Sequence, residues 1–154
     1  MNKHLEMLLQ QLRLKGITYR LIELKDRAIS VDDVIKFSKG DITKEEICKT
    51  MIVKAGETYC AVFLKGDKRL DFGKLQRILG EKTRLATPEE VKDITGVDPG
   101  AVCPLLLNIP VIIDRKVLEL KNINFGSGDH LYGIEMKPSD ILKIKDAKIA
   151  EASQ

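Results

Sequence analysis

One lysine in this chain stands where a charge has little structural reason to be. In the run Ile47-Cys-Lys-Thr-Met-Ile-Val53, strand alternation places Ile47, Lys49, Met51 and Val53 on one face, with Lys49 the single charge among apolar neighbours. A buried ammonium without a partner is costly, so the side chain either snorkels past the sheet edge or faces a cleft that receives an anion or a carbonyl oxygen. A second candidate is the loop Gly96-Val-Asp-Pro-Gly100-Ala-Val-Cys-Pro104. Pro99 and Gly100 suit the centre of a type II turn, which predicts a positive φ at Gly100. Small Ala101, Val102 and Cys103 would leave their N–H groups accessible as a nest for a carboxylate, phosphate or developing oxyanion, and Pro104 would fix the exit. A plain helix-to-strand connector is the competing reading.

The third candidate is Gly126-Ser127-Gly128-Asp129-His130. It lacks the third glycine of a dinucleotide loop and precedes a strand, so that chemistry is excluded. Its two glycines would let a substrate approach the backbone closely, against the simpler explanation of a hairpin turn with an exposed His130. Cys103 and His130 could also pair as a thiol nucleophile and its base. His4 lies on the first helix and is expected to face solvent.

Composition narrows the functions these residues can serve. The chain has 154 residues, the size of one domain, with 44% hydrophobic and 32% charged residues, and no apolar run approaches the ~18 residues of a membrane helix. Tryptophan is absent and aromatics make up 5%, which excludes a long stacking platform for single-stranded nucleic acid. The 26 basic residues against 23 acidic ones leave a net charge of +3, spread evenly, so an RNA partner is permitted but not indicated. Cys48, Cys60 and Cys103 are odd in number and lack CxxC spacing, which fits neither a disulfide framework nor zinc and is consistent with a reducing cytoplasm. The start MNKHLEMLLQQLRLKG is too interrupted for a signal peptide and reads as a helix.

The elements that must position these residues follow from pattern and caps. Leu5, Leu8, Leu9 and Leu12 predict a helix over 3–15, stopped by Gly16. Ile17 to Leu24 alternates as a strand, and Ser30 caps a short helix. Thr43-Lys-Glu-Glu46 matches a capping box. Ile47 to Lys54 and Tyr59 to Lys65 form a hairpin around Gly56-Glu57, followed by a short Arg69 to Phe72 strand. Leu75, Ile78 and Leu79 belong to a helix ended by Gly80, and Thr87-Pro88-Glu89-Glu90 opens another, closed by Gly96 and expected beside the first. Ile109 to Asp114, Val117 to Phe125 and Leu131 to Met136 read as strands, Pro138-Ser-Asp140 opens a last helix, and Ala150 to Gln154 should fray. The order indicates an α+β fold, with a mixed, mostly antiparallel, barrel-like sheet surrounded by short helices.

Lys49 within Glu46-Ile-Cys-Lys49-Thr, the Gly96 to Pro104 loop and Gly126-Ser-Gly128 occur in a recognisable order. Together they resemble the YbaK/ProX family of aminoacyl-tRNA deacylases, relatives of the editing insertion of bacterial prolyl-tRNA synthetases. Leu70-Asp71 to Gly80 and Ile113-Asp114 extend the resemblance over roughly residues 41 to 143. Leu105-Leu106 departs from it where relatives often carry glycine, and the first 40 residues match loosely. The resemblance implies a single editing domain over 1–154 that acts in trans, hydrolysing the ester of tRNA mischarged with a small amino acid such as Ala, Cys, Ser, Thr or Pro. It implies that Lys49 is essential and that Gly100, Ala101, Val102, Cys103 and Pro104 hold the aminoacyl group through their backbone. Gly126, Ser127, Gly128 and His130 would complete the substrate site. No metal or cofactor is implied, and the ribose hydroxyl beside the ester would assist water attack. The expected partners are the acceptor end of mischarged tRNA and an aminoacyl-tRNA synthetase, with neither DNA nor membrane. A non-catalytic tRNA- or nucleotide-binding module of the same fold is the alternative.

Overall fold

A computed structural model describes the whole chain from Met1 to Gln154. Helix α1 (Lys3–Leu14) begins at Asn2, whose side chain accepts from the Leu5 N–H, and it buries Leu5, Leu8, Leu9 and Leu12. Each fully buried leucine contributes about 2 kcal/mol through apolar area removed from water. Strand β1 (Tyr19–Glu23) follows, then α2 (Val31–Phe37), where the Ser30 hydroxyl accepts from Asp33 N–H. The hairpin β2 (Cys48–Ala55) and β3 (Thr58–Lys65) leads to α3 (Phe72–Leu79), β4 (Thr83–Leu85) and α4 (Pro88–Thr95). Four strands complete the chain: β5 (Val111–Asp114), β6 (Ile123–Gly126), β7 (Tyr132–Met136) and β8 (Lys148–Ala150).

The strands form two sheets, ordered β1-β7-β6 and β4-β2-β3-β5-β8. Only β3-β5 and β5-β8 pair in parallel. Both sheets press one face into a common core, where Ile123, Phe125, Ile134 and Met136 meet Cys48, Ile52, Ala61, Phe63 and Ile113. Phe63 and Phe125 cross edge to face at 5.4 Å, a favoured aromatic geometry. The expected α+β architecture with a mostly antiparallel, barrel-like sheet is therefore realised as two sheets around one core, joined by a parallel bridge from Ile47 to Asn124.

Several local expectations are corrected. Thr43 does not cap its turn, a 3-10 helix over Lys44–Glu46, because the Glu46 carboxylate instead accepts from Asn122 N–H at 3.0 Å. No strand spans Arg69 to Phe72: Asp71 caps α3 through Lys74 N–H, and only Leu70 bridges, to Ser153. Helices α3 and α4 are not neighbours, since Leu75 packs on one face of the larger sheet and Val91 on the other. Val117 to Phe125 is split by a 3-10 helix at Arg115–Glu119, and Pro138–Lys143 is likewise 3-10. The C-terminal residues are pinned rather than frayed, with Ala152 0% and Ser153 1% exposed and both N–H groups donating to the Asp114 carboxylate at 2.8 and 3.1 Å.

Candidate active site

Strand β2 pairs with β3 along its whole length, but β4 covers its other edge only at Val53–Ala55. Ile47 C=O accepts from Gly66 N–H on the β3 side and Ile52 C=O from Ala86 N–H on the outer side, so alternation turns the backbone groups of Thr50 toward the uncovered edge. Beside that edge lies a cavity of about 270 Å³. Its walls are the segment from Ala28 to Val34, the Pro99–Gly100 turn with Val102, and the facing parts of β6 and β7.

Lys49 lines this cavity as its only lysine or arginine. Its Nζ reaches the Gly66 carbonyl at 3.3 Å and makes no ion pair. Burial lowers its pKa, an effect opposed by Asp67 and reinforced by Arg69. As the strand pattern predicts, Lys49, Met51 and Val53 share a face with Leu64, Val62 and Cys60, their partners on β3.

The type II turn is present, with Gly100 at φ +97° and Ala101 N–H donating to Asp98 C=O at 3.3 Å. Glycine is required for space as well, since a Cβ there would come within 2.7 Å of Ile29 Cα. Burial of the residues that follow differs from the exposed nest that the small side chains suggested. Pro99, Gly100 and Val102 line the cavity, whereas Ala101, Cys103 and Pro104 lie behind it, buried. The N–H of Ala101 is committed to the turn. Burial pushes the Cys103 thiol up to about 12, which removes it as a nucleophile at neutral pH.

The two glycine loops abut. A Cβ on Gly126 would approach Val102 O to 2.9 Å, and Gly128 N–H donates to Ala101 C=O at 2.7 Å. Gly126 and His130 line the cavity. Ser127, 0% exposed, instead holds the turn by donating to Tyr132 C=O at 2.7 Å. Gly128 packs against His4 and accepts from the Asn2 side chain, so the start of α1 supports this loop. His130 is half-buried rather than exposed, with Nδ1 3.3 Å from Ala28 C=O. With that nitrogen donating, Nε2 presents its lone pair.

Three buried side-chain polar atoms lack a hydrogen-bond partner, Thr50 Oγ1, Asn124 Nδ2 and His130 Nε2, the last standing 3.9 Å from the Asp98 carboxylate, and all three residues line this cavity. Asn124 and Thr50 were not among the candidates read from sequence. A signal existed at Asn124, a carboxamide inside the otherwise apolar run Ile123-Asn-Phe125. The segment from Ala28 to Val34 carried no comparable signal.

Fold and cavity together define an α+β domain with a mainly apolar pocket lined by a single lysine. Residues 30–144 match the family model of the aminoacyl-tRNA editing domain, and the chain belongs to that family. It is 30% identical over 123 residues to the proline–tRNA ligase of Caldicellulosiruptor bescii, covering 77% of this chain and 21% of the ligase. To the proline–tRNA ligase of a Sulfurihydrogenibium species it is 35% identical over 105 residues, covering 67% of this chain and 18% of that one. The chain thus spans about a fifth of the length of these curated relatives. Among solved structures, a protein described as a candidate trans-editing enzyme for prolyl tRNA synthetase superposes with a TM-score of 0.85 at 22% identity, covering 100% of this chain and 99% of its own. A hypothetical protein of 28% identity superposes equally well, at 0.85 over 96% of this chain and 99% of its own. The loosely matching first 40 residues therefore belong to the shared fold.

Proposed function

We propose that the cavity is the active site of a deacylase that acts in trans on mischarged aminoacyl-tRNA. The observation that carries this reading is Lys49, half-buried, free of any ion pair and lining a mainly apolar cavity large enough for an aminoacyl group. Membership of the editing family supplies the substrate class, and the similarity to proline–tRNA ligases points to proline tRNA carrying a small wrong residue. In the reaction, water adds to the ester carbonyl carbon while the carbonyl π pair moves onto oxygen, where Lys49 stabilises the charge. Collapse re-forms C=O and breaks the bond to the terminal ribose, whose oxygen receives the proton lost by water. The ribose hydroxyl beside the ester guides the water, and His130 Nε2 accepts from a ribose hydroxyl or the substrate ammonium. Cavity volume selects among Ala, Cys, Ser, Thr and Pro, a coarse sieve because a methylene is worth only ~1 to 3 kcal/mol. The test is single-turnover hydrolysis of proline tRNA pre-charged with each residue, using the purified chain without a synthetase. Hydrolysis of at least one is expected. Binding without turnover would return the protein to the class of non-catalytic tRNA-binding modules.

A further inference from the structure

Two of the loop N–H groups, those of Ala101 and Cys103, drop out, which leaves the oxyanion with fewer donors than the sequence suggested, while Gly100 and Val102 still line the cavity. Ala101 N–H is spent on Asp98, and Ala101 and Cys103 do not line the cavity. Asn124 offers a replacement. It is 2% exposed, lines the cavity, and its Nδ2 has no hydrogen-bond partner, although a buried donor ordinarily has one.

Its position relative to Lys49 follows from the strand pairing. Asn124 bridges Ile47, and bridged residues on neighbouring strands present their side chains on the same face. Ile47, the residue just before β2, and Lys49 are two positions apart in one extended run and share that face. On the opposite face the flanking residues Ile123 and Phe125 of β6 and Cys48 of β2 enter the main core. Asn124 and Lys49 therefore lie diagonally across the junction of the two sheets, with Cα atoms roughly 8 Å apart from strand rise and spacing. Lys49 Nζ rests on the Gly66 carbonyl at 3.3 Å, on the β3 side of the strand, and its flexible stem is long enough to swing back across β2 toward the carboxamide. Gly133 makes room for the carboxamide, since a Cβ there would stand 3.1 Å from Asn124 Oδ1.

Resting on the deacylase reading above, we infer that Asn124 is a second catalytic donor, its side-chain N–H binding the ester carbonyl oxygen beside the Lys49 ammonium and holding the charge that develops there. The donor is already in place before the substrate arrives, which is the condition under which such a group accelerates a reaction.

The experiment compares wild type, Lys49→Ala, Asn124→Ala, Asn124→Asp and Gly133→Ala. Each is assayed for single-turnover hydrolysis of proline tRNA charged with alanine, cysteine, serine, threonine or proline, for binding of uncharged proline tRNA, and for thermal melting. Asn124→Ala and Asn124→Asp should each lower the rate by about 10²-fold while binding is unchanged. Asn124→Ala should melt at or above the wild-type temperature, because it removes a buried polar group that has no partner. Gly133→Ala, which displaces the carboxamide by a few tenths of an ångström, should fall between. Near wild-type turnover by Asn124→Ala, with Lys49→Ala inactive, overturns the inference and leaves the deacylase reading standing. A clear drop in melting temperature for Asn124→Ala would make Asn124 a structural residue and also overturns it. Inactive wild type on the whole panel removes both.

Discussion

At Asp114 every polar atom that burial takes from water is given a partner, whereas around Lys49 several are left without one. The Asp114 carboxylate, 1% exposed, accepts from Ala152 N–H, Ser153 N–H and the Ser153 hydroxyl at 2.8, 3.1 and 2.9 Å. Across the molecule, the cavity holds a lysine without an ion pair and three side-chain atoms without a hydrogen bond. Both regions are polar places inside an apolar fold. The first ties the C-terminal residues to β5 and leaves neither carboxylate oxygen without a partner, so it acts as a structural anchor. The second keeps costly groups unsatisfied in one place, which is the condition of a site that awaits a ligand.

The contrast breaks most completely at Lys49. Lys49→Ala should reduce single-turnover deacylation by about 10³-fold or more, the scale of losing the principal oxyanion partner, while the circular dichroism melt stays near wild type. Activity retained at a near wild-type rate would remove the lysine from the mechanism. The same group sets a pH dependence. Burial holds its folded pKa below the unfolded value, so in the interval between the two the unfolded chain binds more protons and stability rises with pH. Lys49→Met should flatten that rise in a series of melts. The enzymatic rate, corrected for spontaneous ester hydrolysis, should fall as pH climbs through the lowered pKa, because only the ammonium stabilises the oxyanion.

Gly100→Val ranks next. At φ +97° a β-branched residue is strained by about 1–3 kcal/mol, and its Cβ would press on Ile29, a residue of the adjoining cavity wall. The expected loss is about 10² in single-turnover rate, the scale of misplacing the bound aminoacyl group by an ångström, with little change in tRNA affinity, which should rest on phosphate contacts elsewhere. Weakened binding at an unchanged rate would recast the turn as a docking surface.

Asp114→Ala tests the other half of the comparison. It leaves three donors without their acceptor and should cost about 3 kcal/mol, a fall in Tm of roughly 6–12 °C. The rate of the folded fraction should be that of wild type, and a loss of turnover without loss of stability would show that the two regions are coupled. The smallest effect is expected at Asn2, which caps α1 and also donates to Gly128 C=O. Asn2→Ala should cost about 1 kcal/mol and raise hydrogen exchange in residues 126–130 before it changes turnover.

Signals confined to a few consecutive residues were the most legible. Ser30 and Thr87 cap helices as their sequences indicate, with the full capping box at Thr87. The identical pattern at Thr43 failed because its glutamate found a partner 76 residues away at Asn122, which no local rule can register. The three-residue strand β4 was missed because Thr83-Arg-Leu85 is too short for alternation to appear, yet where it stops decides how much of the β2 edge stays open.

By itself the sequence determined the α+β class, the face on which Lys49 stands, the positive φ of Gly100 and the family, because periodicity, turn chemistry and motif order are properties of neighbours along the chain. Only the tertiary structure decided that Ala101 and Cys103 turn away from the cavity, that Ser127 and Gly128 brace a loop, and that Asn124 and Lys49 line one cavity. Those outcomes depend on which strand ends meet at the junction of the two sheets, and the bridge from Ile47 to Asn124 joins residues 77 positions apart.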